Sequence, residues 1–353
     1  MPRTYMSISE ISRMLYLSVA LVIHMKLIEF RYQEISINYF DSKLVHFDGD
    51  WEAMLAQYFL QGSQPLLSGL VGGFGHPLIQ LADTFELQSP DLAVEALALT
   101  AIDYNDLCKF LLLSPSARGA TPNPTLPPQH ILSKIRTDQR FNGLVTAPGV
   151  QNMTKVLSNL QARTALMEYM IMLNISHLPN IIYELADLAL LLLSATHKTD
   201  EPAFDFYLNH TLTFVYCLQV LLPVFPDTES SILLVRGVWL LTILVYITQL
   251  RPTLTPSFLE DVEVGEGISW EDVFREFHES KSLEGKYLDA HFLRAMRNLM
   301  ELGKMREERE IFYLKAAEKL KTQWSEWTGF GKEGEAKLNI SSSALPNLGL
   351  RAE

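Results

Sequence analysis

Three histidines lie in apolar stretches of the sequence, each with polar neighbours at helical spacing. They are His76 in GGFGHPLIQ, His210 in FDFYLNHTLTF and His291 in LDAHFLRAMR. An imidazole can accept or donate a proton near neutral pH, whereas a buried one without a hydrogen bond destabilises the fold by about 1–3 kcal/mol. These side chains therefore either have structural partners in the core or line one polar cavity. The second alternative predicts a site for proton-transfer chemistry, with all three as catalytic residues.

Glycines precede His76 and a proline follows it. The glycines are Gly69, Gly72, Gly73 and Gly75. Since Pro77 is tolerated in the first turn of a helix, the apolar spacing after it predicts a helix that starts near His76. A helix N-terminus lowers the pKa of a nearby imidazole and favours a developing negative charge. Gln80, one turn further on, is predicted to share this face and to bind substrate. A packing or capping role is the alternative for His76.

Arg294 lies three positions after His291, on the same face of a predicted helix. A cation beside the imidazole favours its neutral form, and a guanidinium can hold an oxyanion through two hydrogen bonds. Arg294 is therefore the fourth predicted catalytic residue, with a surface salt bridge as the alternative. Asp205 precedes the segment that carries His210 and is predicted to cap that helix.

Aromatic residues recur at helical spacing between these segments. They include Tyr207, Phe214, Trp239 and Tyr246. Such residues are most simply part of a core, yet a pocket for a flat ring would need them as well. Tyr207 and Tyr246 are the predicted substrate contacts.

The composition argues against several classes of protein. Of 353 residues, 48% are hydrophobic and 20% are charged, with a formal net charge of -12. This acidity argues against nucleic acid as a partner, because its binding surfaces are basic. Only Cys108 and Cys217 are present, so a cysteine-based zinc site is not supported and a cytoplasmic location is expected. Apolar runs such as 237–247 are shorter than the ~20 residues of a membrane span, so no membrane partner is expected.

The hydrophobic pattern predicts an all-α fold, a single large multi-helix domain with a central apolar pocket. No window shows sustained alternation of apolar and polar residues, which would indicate strands. The domain is predicted over 45–328, after an N-terminal segment 1–44 and before a disordered tail 329–353, with an exposed proline-rich loop at 114–130. Helices are predicted at 90–112, 150–174, 180–196, 205–222, 230–250, 270–277 and, as a pair, within 286–324.

Five blocks of sequence, taken together, are more specific than any single motif. They are GGFGHPLIQLADTFEL, EALALTAIDYN, FDFYLNHTLTF, WLLTILVYITQLRP and DAHFLRAMRNL. In this order and spacing they resemble the fungal questin oxidase family, over roughly residues 45–315. The resemblance implies an oxidoreductase of secondary metabolism that performs a Baeyer–Villiger-type oxidation and ring opening of an anthraquinone-like polyketide. It also implies O2 and NADPH as co-reactants. No flavin is expected, since the familiar dinucleotide-binding glycine motif is absent.

Carried over by position, His76, His210 and His291 fall on histidines of the family pattern, while two residues depart from it. Gln80 stands where members usually read HPLIH, and Arg294 where they read DAHxxK. Some relatives resemble non-haem iron enzymes with several histidines and a modified lysine, so these departures make iron binding the less favoured expectation and no metal ligand is predicted. Residues 1–44 also lack the histidine- and asparagine-rich segment usual in the family, which predicts a divergent or truncated start. The alternatives are a non-haem iron ring-cleaving dioxygenase and a non-catalytic polyketide-binding paralogue.

Overall fold

The computed structural model describes residues 32–62, 65–113, 125–198, 200–225, 228–279 and 285–331. Helices and turns make up these ranges. The only β-type pairings within them are two isolated bridges, Leu126 with Leu173 and Asp205 with Thr328. The predicted all-α class is therefore confirmed. The chain divides by its internal contacts into two compact units, Met1–Asn105 and Asp106–Glu353.

Two of the described helices of the first unit, Trp51–Leu60 and Pro90–Ile102, begin at capping residues that the sequence makes recognisable. The described helices of this unit are α1 (residues 32–46), α2 (Trp51–Leu60), α3 (His76–Leu87) and α4 (Pro90–Ile102). Asp50 Oδ1 accepts from Ala53 N at 2.9 Å before α2, and Ser89 Oγ accepts from Leu92 N at 3.4 Å before α4. α3 packs on α4 and buries Leu78 and Leu81. Two 3-10 turns, Leu67–Val71 and Gly73–Gly75, lead into α3.

The second unit is built around two helices with no polar face, Phe206–Leu221 and Thr228–Thr248. Its described helices are α5 (Asp106–Leu113), α6 (Pro128–Thr137), α7 (Met153–Ser158), α8 (Leu160–Met172), α9 (Leu178–Ser194), α10 (Phe206–Leu221), α11 (Thr228–Thr248), α12 (Ser257–Glu260), α13 (Trp270–Glu279), α14 (Ala290–Lys304) and α15 (Glu310–Gln323). Twelve of the sixteen residues of α10 are buried, because α9, α11 and α14 all pack against it. α10 is therefore the central helix of this unit.

Two predicted helices are each broken by a short interruption. The stretch predicted at 90–112 forms α4 and α5, separated at Asp103, whose carbonyl and side chain lie against Gly72 and Gly73. The stretch predicted at 150–174 forms a 3-10 turn, then α7 and α8, because the Asn159 side chain accepts from Ala162 N at 3.0 Å and starts a new helix. At Asn159 a short polar side chain competes for backbone hydrogen bonds, whereas Asp103 packs against the glycines.

α11 is the one helix among the described residues that is long and apolar enough to cross a membrane. It has 21 residues, the same length as the helix predicted at 230–250, and 89% of its most apolar window is buried inside the protein. Such burial is that of a core helix.

The predicted limits of the large domain remain predictions, since residues 1–31 and 332–353 lie outside the described part of the chain. Residues 114–124 of the predicted proline-rich loop also lie outside it.

Candidate functional site

His210 and His291 lie side by side where α10 and α14 begin. Their ring centroids are 5.2 Å apart and the rings are tilted by 47°. His210 is in the first turns of α10 and His291 is the second residue of α14. His210 is buried and His291 is half-buried. The structure thus brings together two of the three predicted histidines, which are 81 positions apart in the sequence.

The Phe206 ring packs against both imidazoles. Its centroid is 4.7 Å from that of His210 and 4.5 Å from that of His291. Phe214 adds a second aromatic ring, with its centroid 6.1 Å from that of His210. Apolar rings lower the local dielectric constant, which strengthens charge and hydrogen-bond interactions made by the imidazoles. The pair therefore combines proton-transfer groups with a flat apolar surface.

A backbone hydrogen bond fixes which nitrogen of His210 is basic. Nδ1 lies 2.7 Å from the carbonyl oxygen of Phe206, one turn earlier in α10. A carbonyl oxygen can only accept, so Nδ1 carries the proton and Nε2 carries the lone pair of the neutral ring. Nε2 of His210 is therefore the atom that can take a proton from a bound molecule.

Each of these two helices begins at an aspartate. Asp205 Oδ1 accepts from the backbone N–H of Tyr207 at 2.8 Å and of Leu208 at 2.9 Å, so the predicted cap of α10 is confirmed. Asp289 Oδ1 accepts from Phe292 N at 2.7 Å at the start of α14. Side-chain caps of this kind hold the first turn of a helix in place, and both histidines lie within one or two turns of their cap.

The Asp205 carboxyl group has further neighbours. With its Nε2 turned toward Asp205, the Gln249 amide donates to Oδ2 at 2.7 Å and to the Gly329 carbonyl at 3.0 Å. Burial raises the pKa of Asp205 to about 7, although the N–H groups of Leu208 and Tyr207 act in the opposite direction. Burial thus holds the pKa of the carboxyl group that caps α10 above its ordinary value.

The remaining predicted residues of this unit have different surroundings. Tyr207 is half-buried beside Phe330, and burial followed by the charge of Asp205 raises its phenol pKa. Arg294 is half-buried, one helical turn beyond His291. Tyr246 is buried in α11, and its hydroxyl donates to the Pro252 carbonyl at 2.9 Å, which is a structural bond.

His76 and Gln80 belong to the first unit. His76 is the first residue of α3, as predicted, and its side chain is exposed rather than part of a buried apolar face. Its Nδ1 lies 2.7 Å from the Gly73 carbonyl, so Nε2 again carries the lone pair. The Gln80 amide donates to Glu95 Oε2 at 2.6 Å. That His76 and Gln80 act with His210 and His291 stays a prediction.

The glycine stretch before His76 has a structural reason within its own unit. Gly73 and the non-glycine residue Phe74 both have positive φ, at 50° and 59°. A Cβ at Gly69 would meet Thr100, and one at Gly72 or Gly73 would meet Asp103. The close approach expected from these glycines is thus an approach to the end of α4. Because a carboxylate occupies this place, the stretch does not suit the pyrophosphate of a dinucleotide such as NADPH.

A segment near the C-terminus contacts Phe206, the ring that packs against both imidazoles, and this segment was not predicted from the sequence. This segment is 327–330, which contains Trp327 and Phe330. The Phe330 ring lies 4.9 Å from that of Phe206, and the Trp327 ring lies 6.1 Å from it. The aromatic residues in WSEWTGFG were the available signal, but it is weak because it stands far from either histidine in the sequence.

The described residues do not form a ready metal site. Among them, no group of three or more His, Cys, Asp and Glu side chains is close enough to hold an ion. His210 and His291 alone would give two ligands, fewer than the three or more that protein sites for transition metals usually supply. The residues that the structure describes therefore do not fit the iron centre of the alternative dioxygenase.

Comparison with protein families shows the family to which the chain belongs. A family model described as questin oxidase-like matches residues 24–299 of this chain. The chain belongs to the questin oxidase-like family. Membership makes the protein an oxidoreductase of the oxidase type, associated with polyketide metabolism. No curated protein sequence matches the chain.

The matched region differs in extent from the predicted one. It begins at residue 24, inside the segment predicted to be divergent, and it ends at residue 299, within α14. All predicted site residues of the questin oxidase-like chain lie inside it. Segment 327–330, which packs on Phe206, lies outside it.

Proposed function

We propose that this questin oxidase-like protein catalyses a flavin-independent Baeyer–Villiger-type oxidation of a reduced anthraquinone-like polyketide. One oxygen atom of O2 is inserted between a ring carbonyl carbon and its neighbouring carbon, and the other oxygen atom leaves as water. The two electrons required come from the reduced ring. NADPH would transfer these electrons to the ring before the reaction with O2. The pairing of His210 and His291 against Phe206 is the observation that carries this proposal.

The basic nitrogen of His210 would start the reaction. Nε2 takes the proton of a phenolic hydroxyl, and the resulting phenolate makes the ring electron-rich enough to react with O2. His291, with its ring centroid 5.2 Å from that of His210, would bind a second oxygen of the same flat molecule. A proton acceptor and a neighbouring hydrogen-bonding group on one apolar wall suit a hydroxylated aromatic ring.

Arg294 is assigned to the developing negative charge. It follows His291 by one turn of α14 and is half-buried. A guanidinium stabilises an oxyanion most strongly where water is partly excluded. In the proposal, Arg294 therefore binds the carbonyl oxygen as it gains charge during oxygen insertion.

None of the described residues is assigned to hold NADPH. The glycine stretch of the first unit has the Asp103 carboxylate against it, which would repel a pyrophosphate. The electrons therefore enter with the substrate, which binds in its reduced form, and no nicotinamide lies beside His210 during oxygen insertion.

Incubation of the purified protein with a chemically reduced anthraquinone under 18O2 tests the proposal. We expect a lactone or ring-opened product that contains one 18O atom, with the second atom recovered in water. A product without label would contradict oxygen insertion. Tight binding of the anthraquinone without oxygen consumption would replace the proposal by the non-catalytic binding alternative.

A further inference from the structure

Segment 327–330 contacts the start of α10. Thr328 N donates to the Phe204 carbonyl at 2.8 Å, and Phe206 N donates to the Thr328 carbonyl at 3.0 Å. Phe330 is buried, with its ring centroid 4.9 Å from that of Phe206. The backbone and one ring of this segment thus hold the residue whose side chain lies against both imidazoles.

The same segment contacts the start of α14. Trp327 Nε1 donates at 3.1 Å to Asp289 Oδ1, the oxygen that also caps α14 through Phe292 N. This hydrogen bond joins an indole N–H to a carboxylate, a charge-assisted pairing that is stronger than a neutral one. The cap of the helix that carries His291 is therefore tied to segment 327–330.

A glycine allows the segment to reach the other cap. Gly329 has φ +93°, and a Cβ on it would run into the Asp205 carboxyl group. Any other residue here would be strained and would also push on the cap of the helix that carries His210. Segment 327–330 thus contacts both capping aspartates.

We propose that segment 327–330 is a positioning element that sets the distance between His210 and His291 by holding Asp205 and Asp289 together. This inference rests on the proposed function of the histidine pair. The segment lies beyond residues 24–299, so it adds a determinant outside the region that the family model matches. Trp327 and Gly329 are its positioning residues, and neither is assigned a contact with substrate.

Two tryptophans provide a matched pair of variants. Trp327→Phe removes the N–H group that donates a hydrogen bond to Asp289 and keeps an aromatic ring. Trp324→Phe is the control, since the Trp324 ring lies only 5.5 Å from that of Trp327 but its Nε1 has no hydrogen-bond partner among the described residues. Both variants lose the same atoms, so a difference between them reports the bond to Asp289.

Two glycines provide the second pair. Gly329→Ala places a methyl group against Asp205. Gly267→Ala is the control, because Gly267 has φ +71° and no atom of the described residues lies within 4 Å of the position that its methyl group would take. Both substitutions introduce backbone strain, but only the first displaces a cap. This pair keeps the test decisive if Trp327→Phe fails to fold.

The readouts are the imidazole NMR signals of His210 and His291, and kcat and KM with a reduced anthraquinone. We expect Trp327→Phe and Gly329→Ala to shift both imidazole signals and to lower kcat roughly 10- to 100-fold with a smaller change in KM. The two control variants should keep the signals and the turnover of the unmodified protein.

Unchanged imidazole signals in Trp327→Phe and Gly329→Ala would overturn the inference, even if both variants were less stable. Equal shifts in each variant and its control would overturn it as well. An unmodified protein without turnover would refute the proposed oxidation alone, because the NMR comparison would still decide whether the segment positions the pair.

Discussion

The hydrogen bond between His210 Nδ1 and the Phe206 carbonyl separates two roles of one side chain. Nδ1 stabilises the first turns of α10, whereas Nε2 carries the lone pair of the neutral ring and is the proposed base. A substitution can therefore keep the structural bond and remove the base. His76 has the same arrangement with the Gly73 carbonyl.

His210→Asn keeps the structural hydrogen bond and removes the base, because the asparagine amide can place an N–H close to the position of Nδ1. We predict that it folds and that kcat for the reduced anthraquinone falls about 10²- to 10⁴-fold, the usual contribution of a general base. His130→Asn, an exposed site in α6, is the control and should retain full turnover. Undiminished turnover in His210→Asn would remove His210 from the mechanism.

Asp205 should make stability depend on pH. Its pKa is raised to about 7 in the folded protein from 3.8, so the folded state binds the proton more tightly than the unfolded chain does. The stabilisation from this group is complete below about pH 4 and is lost as the pH rises through 7, with a slope of at most ~1.4 kcal/mol per pH unit.

Asp205→Asn tests this sign, since asparagine also caps helices but does not titrate. Relative to the variant, we expect the free energy of unfolding of the unmodified protein in urea to fall between pH 4 and pH 8. A difference that stays constant or increases with pH would show that Asp205 is not protonated preferentially in the folded state.

At the scale of elements, the turn of glycines before α3 is held by its fit to Asp103. Gly73→Ala introduces strain at φ +50° and a clash with the Asp103 side chain. We predict a loss of about 2–5 kcal/mol in the stability of the first unit, since overpacking adds about 1–3 kcal/mol to the backbone strain. Gly49→Ala, at φ +84° in open space, should lower the stability of this unit by only about 1–2 kcal/mol. Unfolding in urea measures both losses.

Helix ends were predictable from the sequence where a capping side chain meets an apolar run. Asp205 and the Ser89–Pro90 pair are of this kind, and α10 and α4 start where they indicated. The breaks at Asp103 and Asn159 were not predicted, because apolar residues at helical spacing continue on both sides of them. Only the packing of Asp103 on the glycines, and the choice of Asn159 as a cap, interrupts those helices.

At the scale of the molecule, the two compact units should unfold separately, because each has its own buried core. Cys108 and Cys217 are both buried thiols in the second unit, so their labelling in urea reports that unit alone. We predict that Gly73→Ala lowers the urea midpoint of part of the helical circular dichroism signal and leaves the midpoint of thiol labelling unchanged. A joint decrease of both midpoints would show that the units unfold together.

The candidate site was only partly predictable from the sequence, because contacts between residues far apart in the chain form it. The sequence named His210 and His291, and the family resemblance supported both, but periodicity cannot show that two helices start side by side. The contacts of Phe206 and Phe330 arise between residues far apart in the chain, where local pattern contains no information. Gln80 and Tyr246 were chosen for their chemistry, and in the structure their polar atoms contact Glu95 and Pro252.

The bond between the Thr328 hydroxyl and the Phe204 carbonyl spans 124 positions of the chain. A ribosome adds about 5–20 residues per second, so roughly 6–25 s pass between the synthesis of Phe204 and that of the residues that later cover Phe206. During this interval the aromatic wall beside His210 lacks its C-terminal cover in every nascent chain. Protease sensitivity near Phe206 would therefore differ between ribosome-bound chains in which residue 330 has left the ribosome and chains in which it has not. Chaperones that bind exposed aromatic surface would have access to the protein at this place during the interval.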